Sequence, residues 1–179
     1  MILRSANRLF VIQGFNGTGV DQIASESEVT KRTLYKHFGS KEGLIQEVLL
    51  THHAEMMANI RANVDEISGD TRERLLACFK LYRDWFSSTT FHGCIFIKTL
   101  NEFSACSSGL GKLAQDAKTD MRNFIESIAK EGGAKNAAKL ALGLQILLEG
   151  SIILAHSGEG PSVIDTSWSI GEMLIDKYL

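Results

Sequence analysis

Proline is nearly absent from this chain of 179 residues: Pro161 is the only one. Before it, only glycine punctuates the pattern, so helices can run uninterrupted. Cysteine is scarce too. Cys78, Cys94 and Cys106 form an odd set with no C-x-x-C spacing. That argues against a disulfide framework or a zinc ribbon and for a reducing cytoplasm. Neither sign of charge dominates. With 19 Lys and Arg against 21 Asp and Glu, the formal net charge is −2, and any contact with nucleic acid must rest on a local patch. A long apolar run is lacking as well. The most apolar stretch, LALGLQILLEGSIILA at 140–155, carries Gln145 and Glu149 and falls short of the roughly 20 residues of a membrane span. Arg4 and Arg8 spoil a signal-peptide pattern at the start. A soluble protein away from the membrane is expected.

What the sequence does have is a 3.6-residue period in almost every block, without sustained alternation of period two. Leu3, Ala6, Leu9, Phe10 and Gln13 share one side of a first helix that stops at Gly14. A short block at about 20–27 follows, with Thr18 expected as its cap. The next, at 31–38, lies between a Thr30 cap and a Gly39 stop. Ser40 opens a helix of more than six turns, along which Leu44, Val48, His52, Met56, Ile60, Val64 and Ile67 step by three or four. Asp70, at capping-box spacing from Glu73, starts a fifth helix. A sixth is expected from Cys94 to Ala105 and a seventh from Ser107 or Ser108 to the Gly132-Gly133 stop. The last two are expected at 136–157 and 162–178. The fold class is all-α, with about nine helices and no strands.

The blocks at 20–27 and 31–38 are joined by three or four residues, the spacing of a helix-turn-helix. Thr30 to Lys41, TKRTLYKHFGSK, holds Lys31, Arg32, Lys36 and Lys41 and no acid. A solvated basic helix face would explain that charge equally well. The other residues tip the balance. Leu34 and Phe38 lie one turn apart and can pack on Ile23, Ala24 and Val29, which leaves Thr33, Tyr35, Lys36 and His37 outside. Hydroxyl, imidazole and ammonium groups donate well to phosphate oxygens. A Thr30 cap adds free amides and the positive end of a helix.

The stretch GFNGTGVDQIASESEVTKRTLYKHFGSKEGL from Gly14 to Leu44 resembles the DNA-binding domain of the TetR family of bacterial transcriptional regulators. The resemblance lies in Thr18, Ile23-Ala24, Val29-Thr30, Thr33-Leu34-Tyr35, His37-Phe38 and Ser40-Lys41-Glu42 with Leu44. It implies a homodimer bound to a palindromic operator in double-stranded DNA, most often a repressor released by a small-molecule effector, with no cofactor and no enzymatic activity. It further implies phosphate contacts by Thr30, Tyr35, His37 and Lys41, and a groove-facing set of Lys31, Arg32, Thr33 and Lys36. Residues 1–45 would then read DNA, and 46–179 would bind the effector and dimerise. Two departures stand out. Members carry a short arm before the first helix, whereas Met1 here stands within that helix. Glu28 occupies a turn position where the family favours glycine, and positive φ there would strain a glutamate.

The second half carries weaker signals. Phe79, Tyr82, Phe96, Phe103 and Phe124 are either core or the lining of a hydrophobic effector pocket. Gln145 and Glu149 either face solvent or a neighbouring helix, or supply that pocket's polar contacts. His92-Gly93-Cys94-Ile95-Phe96 followed by Glu102-Phe103 resembles a segment found in one subset of the family. Cys94 or Cys106 offers an alternative, a thiol-based redox regulator on the same scaffold. His92-x-Cys94 and the adjacent His52-His53 lack further ligands at metal spacing, so no metal is expected. Gly109-x-Gly111 and Gly158-x-Gly160 lack the third glycine and preceding strand of a nucleotide site. For the dimer, the 136–157 helix is apolar around most of its circumference, the final helix adds Val163, Ile164, Leu174 and Tyr178, and Gly143, Gly150, Ser151, Trp168, Gly171 and Ile175 are the expected interface in a four-helix bundle.

Overall fold

The computed structural model describes residues 1–67, 69–103 and 109–179. Among them lie nine α-helices and no strand: α1 (Ile2–Gln13), α2 (Val20–Glu26), α3 (Lys31–Phe38), α4 (Lys41–Asp65), α5 (Thr71–Phe86), α6 (Ile95–Glu102), α7 (Gly109–Glu131), α8 (Ala137–Leu154) and α9 (Val163–Tyr178). A π-turn, Ala155–Glu159, extends α8. The expected end of α6 and start of α7, together with Cys106, lie outside the described residues.

The helix starts follow from side-chain chemistry. Thr30 accepts the amide of Thr33, Asp70 that of Arg72 and Asn136 that of Lys139. Ser40 Oγ accepts the Gly43 amide at 3.0 Å. Each bond satisfies an amide that the helix itself leaves open. Thr18 departs from expectation. The cap of α2 is Gly19, without a side-chain bond, while the fully buried Thr18 hydroxyl donates to the Gly14 carbonyl at 2.7 Å. A buried hydroxyl needs a partner, and the end of α1 supplies it.

Two compact units form: Met1–Met56 with Cys94–Lys118, and Met57–Gly93 with Thr119–Leu179. In the first, Leu9 and Phe10 of α1, Ile23 of α2, Leu34 of α3 and Leu44, Ile45 and Leu49 of α4 are buried with Phe15. Phe15 stacks on Phe10 with centroids 5.0 Å apart and meets Phe103 edge-on at 5.4 Å.

In the second, α8 pairs with α9 and α5 packs on α9. Gly171 sits where a Cβ would stand 2.8 Å from the Phe79 ring, so only a missing side chain lets α9 come this close to α5. Ser151 and Ser167 share a buried 2.6 Å hydrogen bond, and Gly143 faces Leu174. Arg72 clamps α5 to α9 through Glu172 at 3.0 Å and Asp176 at 2.9 Å. Helix α8 with its π-turn, Ala137–Glu159, is long and apolar enough by length and composition to cross a membrane. The 140–155 stretch by itself is shorter than a span. Its inner residues Leu140, Ala141, Leu144, Leu148 and Ile152 are buried, the pattern of a core helix.

Four of the residues expected at a subunit interface make contacts within the chain. Gly171, Ser151, Ile175 and Gly143 face inward, because the small residues serve the close crossings within the chain. Trp168 is half-buried, 6.4 Å from Phe79, with Arg83 stacked at 5.2 Å. Of the expected set, Gly150 alone faces open space. The exposed apolar row on these helices is Leu142, Ile146, Ile153 and Leu154 of α8 with Ile170 and Met173 of α9.

Candidate nucleic-acid interface

The turn that aims α3 is built from backbone. Helix α2 ends with the Val29 amide donating to the Ala24 carbonyl at 3.0 Å and the Glu28 amide to Ser25 at 3.2 Å. That is a Schellman ending, which requires its penultimate residue to be left-handed. Glu28 fills that place at φ 54°, the one non-glycine residue with positive φ among those described. The strain expected of Glu28 is therefore present. The chain then extends through Thr30 (φ −82°, ψ 152°) into α3.

Leu34 is the fully buried anchor of α3. Around it, Arg32, Tyr35, Lys36 and His37 are exposed, and Thr33 is half-buried. The Thr30 and Thr33 hydroxyls lie 2.8 Å apart. The helix has no acid in its first turn and Lys36 and His37 in its last. Lys31 is less open than its sequence implied. Its ammonium lies 3.0 Å from Asp21, whose carboxylate holds it above its ordinary range. His37 and Phe38, with Val29 and Met1 to Leu3, line an open groove of about 760 Å³ that Gly43, Gln46 and Glu47 complete.

Lys41 belongs to a different arrangement. It is half-buried, and its Nζ donates to the Phe15 carbonyl at 2.7 Å. On the other side of that residue, Glu102 at the end of α6 takes two amides: Oε1 accepts from Phe15 at 2.9 Å and Oε2 from Asn16 at 2.7 Å. The turn after α1 is thus held by a lysine from α4 and a carboxylate from α6. Sequence reasoning missed this role for Glu102, which lies 87 residues from Phe15. No local pattern marks it.

The expected effector set is divided between the units. Phe96 meets His52 and His53 at 5.6 and 6.0 Å, and Phe103 packs on Phe15, all in the first unit. Phe79, Tyr82, Phe124, Gln145 and Glu149 belong to the second. There Phe79 fills the space beside Gly171, and Tyr82 stands edge-on to Trp85 and Phe86. Arg61 covers the Phe124 ring at 4.8 Å, and Arg122 donates to the buried Gln145 at 3.4 Å. Among the described residues, no three His, Cys, Asp or Glu side chains are grouped to hold a metal ion.

Comparison with known proteins bears on the same segment. The family described as "Bacterial regulatory proteins, tetR family" matches residues 2–48. The HTH-type transcriptional regulator LmrA of Bacillus subtilis is 32% identical over 161 residues, covering 86% of this chain and 84% of that protein. The HTH-type transcriptional activator FasR of Mycolicibacterium smegmatis is 28% identical over 145 residues, covering 80% of this chain and 65% of its own length. A crystal structure of a TetR-family transcriptional regulator from Streptomyces coelicolor superposes with a TM-score of 0.93 at 21% identity, over 99% of this chain and 93% of that one. It shows a shared fold.

Proposed function

The chain belongs to the TetR family of bacterial transcriptional regulators, and from that premise we propose that it is a homodimeric repressor. In this reading it binds a palindromic operator and is released by a small hydrophobic effector. The observation that carries the proposal is the outer face of α3. Arg32, Tyr35, Lys36 and His37 are exposed on a helix whose start is capped by Thr30 and whose apolar anchor is buried. Cationic and hydroxyl groups on one face of a helix-turn-helix fit a major groove flanked by phosphates. Arg32 and Lys36 read base edges, while Tyr35, His37 and the Thr30 cap hold the backbone. Lys31, shared with Asp21, and Lys41, tied to Phe15, contribute less.

One head cannot read a palindrome. The apolar row Leu142, Ile146, Ile153, Ile170 and Met173 is self-complementary in chemistry and supplies a two-fold interface between copies. Gln145 and Glu149 in the second unit remain the proposed polar contacts of the effector. Residues 1–45 carry the DNA contacts, and the protein works in the cytoplasm, where its DNA lies. FasR is named an activator, and that is the second reading for the sign of regulation.

The test is selection of duplexes from a random DNA pool. The expected product is one palindrome whose half-sites lie about one helical turn apart, roughly 34–36 Å. Recovery of sites without two-fold symmetry would overturn the dimeric reading. Retention of no duplex at low salt would overturn DNA binding itself.

A further inference from the structure

Helix α6 ends on the wrong charge. Its last residue is Glu102, and its last turn holds no basic side chain, although the negative end of a helix dipole disfavours a carboxylate there. Ile95, Thr99 and Glu102 share one face at helical spacing, and the first two are buried, with the Thr99 hydroxyl donating to the Ile95 carbonyl at 2.9 Å. Glu102 stands at the end of that inward face. The chain then turns extended at Phe103 (φ −126°, ψ 105°), whose ring meets Phe15.

What Glu102 meets is the turn after α1, within the same compact unit. Its two oxygens accept the successive amides of Phe15 and Asn16. Neighbouring backbone N–H groups turned to one side form a nest for an anion. Gly14 completes it: a Cβ there would stand 2.8 Å from Oε1, so the carboxylate reaches the amides because residue 14 has none. Phe15 is thereby held at every group it has. Its amide goes to Glu102, its carbonyl accepts from Lys41, and its buried ring packs on Phe10 and Phe103. Phe15 lies just before α2, which packs on α3, and Lys41 opens α4 just after α3. Their bond closes the helix-turn-helix on itself, and Glu102 ties that closure to α6.

We propose that Glu102 is a positioning residue for DNA reading: its carboxylate, seated on the Phe15 and Asn16 amides, fixes the pose of α2 and α3 without itself contacting DNA. The DNA half rests on the DNA-binding reading above; the seating does not. Specific and non-specific binding ask different things of a reading head. Contacts to base edges need each donor held in a narrow geometry, whereas attraction to phosphates tolerates a loose pose. A head whose turn is released keeps its cations and loses its aim.

Two variants of the intact chain test this. Glu102→Ala removes both acceptors, and Glu102→Gln keeps the shape but turns one acceptor into a donor facing an N–H. Circular dichroism confirms that each folds. Amide hydrogen exchange followed by NMR needs no DNA. The Phe15 and Asn16 amides should exchange at least about tenfold faster in Glu102→Ala than in wild type, with the Leu148 amide of α8 unchanged. Equal exchange in wild type and variant would overturn the seating. For the DNA half, each protein is titrated with the duplex selected from random DNA and with a duplex of scrambled sequence. Affinity for the selected duplex should fall at least about tenfold in Glu102→Ala and about threefold in Glu102→Gln, while affinity for the scrambled duplex stays within about twofold. The slope of the salt dependence should not change, because no phosphate contact is lost. An equal loss on both duplexes, or a changed slope, would overturn the positioning role. If Glu102→Ala does not fold, the same comparisons in Glu102→Gln decide. If wild type binds no duplex, the DNA-binding reading fails and the DNA half with it, while the exchange rates still decide the seating.

Discussion

Two helix pairs in this chain solve opposite problems. Helices α2 and α3 are 7 and 8 residues long and bury a small anchor set, Ile23, Ala24 and Leu34. The outward face of α3 carries Lys31, Arg32, Tyr35, Lys36 and His37, while α2 exposes Asp21, Ser25 and Glu26. Helices α8 and α9 are 18 and 16 residues long, bury a full inner row, and still leave Ile146 62% and Met173 64% exposed. A pair that covers all its large apolar residues but Tyr35 and presents Arg32 and Lys36 is complete except for an anion. A pair that keeps apolar side chains on both faces is complete except for another apolar face. In the proposed reading, the outward face, not the helix type, distinguishes a reading head from an assembly surface.

The harshest way to probe this difference is to reverse the inner face of α9. Gly171→Arg places a charged chain where even a Cβ meets the Phe79 ring at 2.8 Å. Overpacking and an unpaired buried charge together cost several kcal/mol. The variant should show no cooperative melting transition by circular dichroism. A folded monomer instead would mean that Gly171 lies at a subunit boundary after all. In the smaller pair, Leu34→Ala empties a fully buried site and should cost about 2–5 kcal/mol in urea denaturation. DNA binding would then be lost through unfolding of the reading head.

The outer faces give milder effects that separate the pairs cleanly. Ile146→Lys with Met173→Lys changes two exposed residues, so the stability of the subunit itself should shift by only about 0.5 kcal/mol. Light scattering should nevertheless report a monomer, and full-operator binding should fail. A dimer of unchanged mass would move the interface off this row. On α3, Arg32→Ala or Lys36→Ala should alter base preference by about 1–3 kcal/mol at one position. Lys31→Ala should do less, since Asp21 already engages that ammonium. Lys41→Met should lower the stability of the first unit, because the Phe15 carbonyl then keeps only the 3.4 Å bond from the Thr18 amide.

The difference between the pairs also governs how much was legible in the sequence. Thr30, Ser40, Asp70 and Asn136 act on amides two or three residues away. Local chemistry of that kind can be read from spacing, whereas the left-handed place of Glu28 is implied by the family resemblance, in which glycine is favoured there. Helix existence followed from period alone. What escaped was every choice made by a partner distant in sequence. Thr18 turned from capping α2 to the end of α1 because it is buried there. Lys41 and Glu102 converge on Phe15 from 26 and 87 residues away. Along α8, apolar residues surround the helix, so periodicity cannot say which face is the core. The small residues Gly171 and Ser151 looked like a subunit contact and serve an internal crossing.

The smallest expected effect sits at the sharpest corner of the reading head. Glu28 holds φ 54° at the end of α2, and its amide and that of Val29 close the Schellman bonds. An L-residue in that region costs about 1–2 kcal/mol relative to a right-handed one. Glycine escapes that cost but loses more backbone freedom on folding, about 0.5–1 kcal/mol. The difference favours glycine by a few tenths to about 1 kcal/mol, so Glu28→Gly should raise the urea midpoint slightly at unchanged slope. Glu28→Ala keeps the Cβ and the strain and should give no gain. Removing a carboxylate beside the basic helix should also tighten DNA binding, equally in Glu28→Gly and Glu28→Ala. The stability effect therefore depends on the backbone and the affinity effect on charge. A stabilisation by alanine equal to that by glycine would show that the charge of Glu28, and not its left-handed backbone, limits the stability of the turn.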